Sequence, residues 1–509
     1  MSKTKSFYLL GYLLIGFVGM NVFFVAYVQP IGFDDSFNLQ IAKSLANNFI
    51  YQSTYYPRYI YDYRITTNGI IQYLAAFDIK LFGDRLGLAF TLTLIAVSSL
   101  AACLRYSWKA FVASVVLLIS YPSFSILMTV FFGEIATLGF LMLGAHFTRR
   151  QAESSELSSG NPLNIGGSVI CYGLAISTKL IAAVALPFIL FGLFYTSRHF
   201  ERNLFYSAMK KTVSIYILSI IVLILLFYIS LLHSQFFLEV PGQNSLNVFV
   251  STPGLLRFIE HHFWQQSVAT SDMLGFSAFS VPWLLPLFLA SLILLIHSSR
   301  GWIPFAIIAV ILLAKSGMNE RRLFLFIVPG LLFAADYIFI KTNKFIKGNE
   351  KIYILIFKNA SSILALSIWI GALGMGLYST SFSLFKPKLS FIKDISVTSL
   401  MNKDSFVIRK PGIDVVKVIK EENSPVLTSG WWQFPDLQIF SDISFYDRMD
   451  VNVEKYLKGS PLLLLFDPTN KSWPETSTQL CSRVVIETPE HVLCYYDNKF
   501  PLNRRAEIK

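Results

Sequence analysis

The sequence predicts an all-α polytopic membrane bundle of about 11 transmembrane helices, followed by a small extracytoplasmic α/β domain. Hydrophobic residues make up 54% of the 509 positions and charged residues only 15%, whereas charged residues make up about 25% of an average soluble protein. Apolar runs of helical length recur up to about residue 377, and charged residues return beyond about residue 381. These observations exclude a soluble enzyme and divide the chain into 1–380 and 381–509.

Each predicted membrane helix is a run of mostly apolar residues, because a spanning helix needs about 20 of them and packed bundles tolerate fewer. The runs lie near residues 7–28, 86–104, 109–121, 124–146, 164–178, 180–196, 212–233, 281–298, 302–316, 323–340 and 352–377. No small-residue cleavage site follows the first run, so we expect it to be a retained helix rather than a signal peptide.

The basic residues predict an orientation. The formal net charge is +12, and Lys and Arg cluster in alternate loops. The positive-inside rule places those loops and the N-terminus in the cytoplasm, and an odd number of helices then places the C-terminal domain outside. Such a charge favours contact with anionic lipids rather than nucleic acid. The two long outer loops are 29–85 and 234–280, and the second is typical both of a mobile loop over a site and of an ordinary connector.

The C-terminal segment 381–509 reads as short buried strands between turn signals, as in "SPVLTSGWWQFPDLQIFSD" and "GSPLLLLFDPTN". Cys481 and Cys494 flank a strand–turn–strand pattern, and they could form a disulfide if the domain faces an oxidising compartment. Cys103 and Cys171 lie in apolar runs, where we expect inert packing residues.

Two adjacent carboxylates, Asp34 and Asp35, follow the first apolar run in "GFDDSFNLQIAKSLANNF". Apolar residues then recur at helical spacing and predict a helix along the membrane interface: Phe37, Ile41, Ala42, Leu45 and Phe49. One Asp is enough to cap a helix start. The second carboxylate leaves both capping and a functional role open.

Other charged residues fall on the same predicted outer side: Glu134 inside a helix, Lys179 at a hairpin tip, Arg321 and Arg322 at a helix start, and Arg58 and Arg64 in the first loop. An ionisable group in a spanning segment is costly and suggests function. Alternatively, Glu134 could pair with a structural lysine, and the basic side chains could reach lipid headgroups. Arg and Lys suit a phosphate, and a carboxylate beside them suits a general base. Together they predict a lipid-phosphate-linked donor and an acceptor hydroxyl.

At these residues the chain resembles the GT-C superfamily of polytopic membrane glycosyltransferases, especially protein O-mannosyltransferase-like enzymes and the aminoarabinose transferase of lipid A. The matching stretches cover about residues 1–340: "GFDDSFNLQIAKSLAN", "LAAFDIKLFGDRLGLAF", "FFGEIATLGFLMLG", "ISTKLIAAVALPFIL" and "NERRLFLFIVPGLLFAA". Three features depart from the family pattern. Arg85 is separated from "LFG" by one residue, where the family pattern has five. Gly133 stands where an Arg is common, and "TTNGIIQYL" replaces a proline-containing stretch.

The resemblance implies an enzyme that moves a hexosyl or pentosyl group from a polyprenyl-phosphate donor to a lipid, glycan or protein acceptor. The reaction would occur with inversion at the outer face of a bacterial inner membrane. Asp34 matches the catalytic base, Asp35 its partner and Glu134 the second acidic position. The basic residues of the outer side are candidates for substrate binding: Arg58, Arg64, Lys179, Arg321 and Arg322.

No cofactor is expected from the sequence. His261 and His262 could hold a cation together with Glu260, but they are adjacent and would project to different faces of a helix. A divalent metal site is therefore left open but not supported. Two other functions stay open: an O-antigen ligase or polymerase that uses a pyrophosphate-linked glycan, and a lipid-glycan flippase without chemistry. The ligase does not need an acidic pair after the first helix, and the internal repeats typical of transporters are not seen.

Overall fold

The structure is a computed structural model. It describes these residues: 3–28, 33–49, 69–131, 133–154, 161–179, 181–196, 200–232, 284–315, 324–336, 364–371, 374, 410–428, 434, 437–438, 441, 443, 445–447, 461–468 and 480–496. The described part up to residue 374 is mostly helical, and the described part from residue 410 contains one helix and a small sheet.

The helical part begins with α1 (Lys3–Val28), α2 (Phe33–Asn48), α3 (Gly69–Phe82), α4 (Asp84–Tyr106), α5 (Trp108–Ser120), α6 (Pro122–Leu127), α7 (Glu134–Ser154), α8 (Pro162–Thr178), α9 (Ala182–Phe194) and α10 (Arg202–Leu232). It continues with α11 (Leu284–Ser298), a 3-10 turn (Arg300–Trp302), α12 (Ile303–Lys315), α13 (Phe324–Asp336) and α14 (364–371).

Within the described ranges, 3 helices are long and apolar enough to cross a membrane: Phe7–Val28, Asp84–Tyr106 and Arg202–Leu226. Shorter apolar helices such as Ala182–Phe194 and Phe324–Asp336 accompany them. Large apolar side chains are exposed along α1 and α10, which suits contact with lipid tails rather than water. The mostly helical membrane architecture is therefore confirmed, and the number of spanning helices stays a prediction.

Helix α4 is central to the helical part and packs against α1, α3 and α7. Small residues allow close approach at two of these contacts. A Cβ on Gly87 would lie 2.6 Å from the Ile79 backbone of α3. A Cβ on Gly139 of α7 would lie 2.9 Å from Cα of Ser99. The first turns of α4 are thus held tightly against α3, and its middle against α7.

The structure adds detail to two predicted segments. The segment 29–85, predicted as an outer loop, contains the expected helix α2 and also α3, and α4 begins at Asp84. The predicted helix 124–146 is divided, because α6 ends at Leu127 and α7 begins only at Glu134. Gly133 has a φ of 90°, a backbone conformation that glycine adopts without the steric cost of a Cβ. The apolar run is continuous in sequence, but the backbone turns within it.

A partly buried polar junction lies near the end of the bundle that the sequence places in the cytoplasm. Arg149 of α7 donates a 2.7 Å hydrogen bond to Oδ2 of Asp336, the last residue of α13. Ser107, between α4 and α5, donates to the other oxygen of the same carboxylate. Arg149 belongs to one of the basic clusters that predict the orientation, and in the structure it has Asp336 as its partner.

The C-terminal part starts with α15 (Lys410–Glu422) and continues with β1 (Val426–Thr428), β2 (Phe445–Asp447), β3 (Leu463–Phe466), β4 (Cys481–Glu487) and β5 (Val492–Tyr496). The sheet order is β2-β1-β3-β5-β4. Strands β1, β2 and β3 are parallel, and β5 runs antiparallel to both β3 and β4. A small α/β unit is therefore present where the sequence predicted one. The predicted boundary at residues 380/381 lies outside the described residues.

Both faces of the central strands β1 and β3 are buried, as expected for apolar strands that are covered on both sides. On one face, Val415 and Ile419 of α15 pack with Leu463 and Leu493. Leu464 lies in the cluster on the other face. Tyr495 of β5 donates a hydrogen bond to the Glu422 carboxylate at the end of α15. That bond is the main reason why the pKa of Tyr495 is raised above its usual value.

A disulfide joins Cys481 of β4 to Cys494 of β5, with the Cα atoms 5.5 Å apart. The two cysteines are therefore paired, which is one of the two possibilities that the sequence left open. Cys103 and Cys171 are free and buried, which confirms them as packing residues.

We expect the double variant Cys481→Ser/Cys494→Ser to destabilise the C-terminal unit by about 2–4 kcal/mol, because the disulfide restricts the unfolded chain. Limited proteolysis with increasing temperature would measure the loss. Alkylation of unreduced, denatured wild-type protein should label two cysteines, and labelling of all four would contradict the pairing. The matched control, Cys103→Ala/Cys171→Ala, should abolish labelling before reduction.

Candidate functional site

The acidic pair lies at the start of α2. Asp34 and Asp35 are the second and third residues of this helix (Phe33–Asn48), so the predicted helix start is confirmed. Acidic residues in a first turn are favourable beside the positive end of the helix dipole. Both residues follow the N-cap position, so their backbone placement suits interaction with the helix dipole as well as catalysis.

The apolar stripe of α2 is mostly as predicted. Ile41, Ala42 and Leu45 are buried. Phe49 is exposed and has a φ of 59°, so the last position of the predicted stripe was wrong. The helix has ended before Phe49, and the helical spacing no longer governs which way that residue faces.

Two buried amides connect α2 to its surroundings, and neither was predicted from the sequence. Asn38, one turn after Asp34, donates from Nδ2 to the backbone carbonyl of Phe131 at 2.8 Å. Gln72 of α3 donates from Nε2 to Oδ1 of Asn38 at 3.0 Å. The sequence signal for these contacts is an amide side chain on an otherwise apolar helical face, because a buried amide needs hydrogen-bond partners. These bonds join α2, α3 and the segment that leads into α7.

The sequence predicted Glu134 inside a longer helix, but it is the first residue of α7. The preceding Gly133 allows the turn, and its carbonyl accepts the backbone N–H of Thr137 at 2.9 Å. Ser99 of α4 donates to the carbonyl of Ile135 at 2.8 Å. The head of α7 is therefore anchored to α4. The departure at Gly133 also has a reason, because an Arg there would strain the backbone.

Lys179 and Glu134 form an ion pair, with Nζ and Oε1 3.2 Å apart and side-chain exposures of 16% and 5%. Lys179 follows the last residue of α8, in the short link to α9, as predicted. The structure thus brings together two of the predicted site residues. It also adopts the alternative in which Glu134 pairs with a lysine. A charge this deeply buried is costly without such a partner.

More charged contacts line the first turns of α4. Lys43 of α2 pairs with Asp84 at 2.9 Å. The Arg85 guanidinium carbon lies 3.8 Å from the centre of the Tyr27 ring, and Arg85 is buried. Arg85, which departs from the family spacing after "LFG", thus stacks on Tyr27 of α1. Nothing in the sequence pattern indicated these pairings.

The remaining predicted substrate-binding residues and histidines lie outside the described residues: Arg58, Arg64, Arg321, Arg322, His261 and His262. The same holds for the predicted outer loop 234–280. Among the described residues, no group of three or more His, Cys, Asp or Glu side chains could hold a metal ion.

No protein-family model and no curated protein sequence matches the chain. Solved structures do match it. ArnT from Cupriavidus metallidurans, bound to undecaprenyl phosphate, is 13% identical with a TM-score of 0.55, over 97% of this chain and 98% of ArnT. The apo oligosaccharyltransferase of Archaeoglobus fulgidus is 11% identical with a TM-score of 0.57, over 92% and 70% of the two chains.

A second structure from Archaeoglobus fulgidus is the oligosaccharyltransferase AglB in complex with an inhibitory peptide and a dolichol-phosphate. It is 12% identical with a TM-score of 0.51, over 91% of this chain and 70% of AglB. ArnT is the lipid A aminoarabinose transferase, and both enzymes are GT-C membrane glycosyltransferases. The resemblance read from the sequence is therefore confirmed at the level of the fold: this chain has the fold that ArnT and the archaeal oligosaccharyltransferase share.

Proposed function

We propose that this chain is an integral membrane glycosyltransferase that moves a hexosyl or pentosyl group from a polyprenyl-phosphate donor to an acceptor hydroxyl. The observation that carries the proposal is the placement of the charged residues within the fold. The acidic pair heads α2, Asn38 ties α2 to the segment before α7, and Glu134 heads α7 in an ion pair with Lys179. The solved relative with this fold that covers 97% of the chain binds undecaprenyl phosphate.

In the proposed reaction, the acceptor oxygen attacks the anomeric carbon of the sugar, and the bond from that carbon to the phosphate oxygen breaks. Asp34 takes the proton of the acceptor hydroxyl as general base, and polyprenyl phosphate leaves with its charge. Attack opposite the leaving group inverts the anomeric carbon. Asp35 would support Asp34. The reaction needs no redox cofactor or nucleotide.

The leaving phosphate needs cationic neighbours, since its charge grows as the bond breaks. Lys179 is the candidate that the structure describes. Its ammonium lies 3.2 Å from Glu134, so a phosphate would have to share that contact or replace the carboxylate. Arg58, Arg64, Arg321 and Arg322 remain candidates from the sequence for the same role.

We place the reaction at the outer face of a bacterial inner membrane, with the N-terminus in the cytoplasm. The alternation of basic loops supports this orientation. The Cys481–Cys494 disulfide supports a C-terminal unit on the outer side, since disulfides persist in oxidising compartments. The acceptor would be a lipid, a glycan or a protein. AglB with its bound peptide illustrates a peptide ligand in this fold.

Mass spectrometry of lipid extracts tests the proposal. A deletion strain should accumulate one polyprenyl-phosphate monosaccharide, because its consumer is missing. Expression of the wild-type chain should return that lipid to the parental level. The purified chain should then release polyprenyl phosphate from the accumulated lipid when the cognate acceptor is supplied.

Other outcomes would overturn the proposal. Accumulation of a pyrophosphate-linked glycan instead would indicate a ligase or polymerase. An unchanged amount of the carrier lipid, with a changed distribution between the two leaflets, would indicate a flippase. Both readouts come from the same extracts and intact cells.

A further inference from the structure

The two buried amides between α2 and α7 have a consequence for the site. We propose that Asn38 and Gln72 are positioning residues for sugar transfer: they form a clamp, here the amide clamp, that holds the head of α2 against the segment leading into Glu134. This inference rests on the proposed function, because it concerns how the acidic pair and Glu134 are kept in register.

Burial makes the amide clamp a strong constraint. Asn38 is 1% exposed and Gln72 is 0% exposed. A buried amide that loses its partner keeps the full cost of having left water, so the bonded arrangement is strongly preferred over open ones. The clamp therefore has one favourable geometry rather than several.

The chemistry of the groups also fixes the orientation of the Asn38 amide. The carbonyl of Phe131 can only accept, so the NH2 of Asn38 must face it, at 2.8 Å. The Asn38 oxygen then faces α3, where the NH2 of Gln72 donates at 3.0 Å. Gln72 thereby orients Asn38, and Asn38 holds Phe131. The partners are 34 and 93 residues apart in sequence.

The location of the amide clamp links it to the proposed chemistry. Asn38 is four residues after Asp34, so positions 34 and 38 share one face of α2. Phe131 lies three residues before Glu134, just ahead of the turn at Gly133. Helix α2 packs extensively against α3, and the bond to Phe131 extends that packing to the chain that leads into α7. Release of the clamp would let the two acidic positions shift relative to each other.

Catalysis by positioned groups is sensitive to such shifts, since a displacement of about 1 Å can cost about 100-fold in rate. Asn38→Leu has the same branched shape and removes both hydrogen bonds. We expect it to lower kcat by about 10–100-fold per folded molecule, with the KM for the donor changed less than about threefold. Gln72→Met should have a smaller effect, and should add little to Asn38→Leu, because Gln72 acts through Asn38.

The experiment uses full-length protein in detergent and the polyprenyl-phosphate monosaccharide isolated from the deletion strain. The amount of folded protein is measured from the monodisperse peak in size-exclusion chromatography, so that a loss of stability is separated from a loss of turnover. The matched control is Thr148→Val. Thr148 lies in the half of α7 away from Glu134, and its buried hydroxyl is hydrogen-bonded to Ser168 and Tyr172 of α8. This substitution should leave kcat per folded molecule unchanged.

The outcomes separate the two proposals. A fall in kcat for Asn38→Leu beyond that for Thr148→Val, with KM retained, supports the amide clamp. Equal kcat for Asn38→Leu and wild type would overturn it while the glycosyltransferase function stands. A wild-type chain that transfers no sugar from the lipid overturns the proposed function, and the positioning role falls with it.

Discussion

Asp34→Asn is expected to lower kcat for sugar transfer by about 10²–10⁴-fold, the usual contribution of a general base. The amide keeps the shape of the carboxylate but cannot take the proton of the acceptor hydroxyl. Binding of the donor depends on the lipid and the phosphate, so its KM should change little. The loss should therefore appear in turnover rather than in affinity.

Initial rates of purified protein, with the donor varied at saturating acceptor, would measure both constants. Asp414→Asn is a suitable control, because Asp414 is exposed on α15 and the substitution removes the same charge. Asp35→Asn should cost less than Asp34→Asn if Asp34 is the base. Full activity of Asp34→Asn, with loss of activity in Asp35→Asn, would transfer the role to Asp35.

Lys179→Met is expected to destabilise the folded protein by about 3 kcal/mol, because it leaves the Glu134 carboxylate buried without its ion-pair partner. The double variant Lys179→Met/Glu134→Gln removes both charges and should regain most of that loss. Thermal unfolding in detergent, followed as the apparent Tm, would compare the variants. An unchanged Tm for Lys179→Met would contradict a stabilising ion pair.

The chain contains an exposed ion pair for comparison. Lys417 and Glu421 of α15 lie 3.9 Å apart, with side-chain exposures of 75% and 63%. Exposed pairs contribute about 0–1 kcal/mol, so Lys417→Met should leave the Tm almost unchanged.

The double variant also tests the proposed phosphate contact. If Lys179 binds the donor phosphate, the KM for the donor should remain raised in Lys179→Met/Glu134→Gln after stability has recovered. If Lys179 serves only as the partner of Glu134, the KM should return to the wild-type range. The KM for the donor in the double variant, compared with that of the wild type, therefore distinguishes the two roles of Lys179.

Local patterns were sufficient for several features of the fold. The apolar periodicity of α2 predicted its buried residues Ile41, Ala42 and Leu45, since a helix repeats within a few residues. The same reasoning failed at Phe49, where the helix had ended. It also failed between α6 and α7, because hydropathy does not register a backbone turn at Gly133 within a continuous apolar run.

The sequence by itself determined that this protein belongs in a membrane, that an acidic pair opens a helix after the first apolar run, and that a small α/β unit follows the helical part. Composition and short-range periodicity carry that information. Only the tertiary structure decided that Glu134 meets Lys179 and that Asn38 contacts Phe131, which is 93 residues away in sequence. Such contacts depend on how closely helices approach, as at Gly87 and Gly139, and packing of distant segments leaves no periodic signal in the sequence.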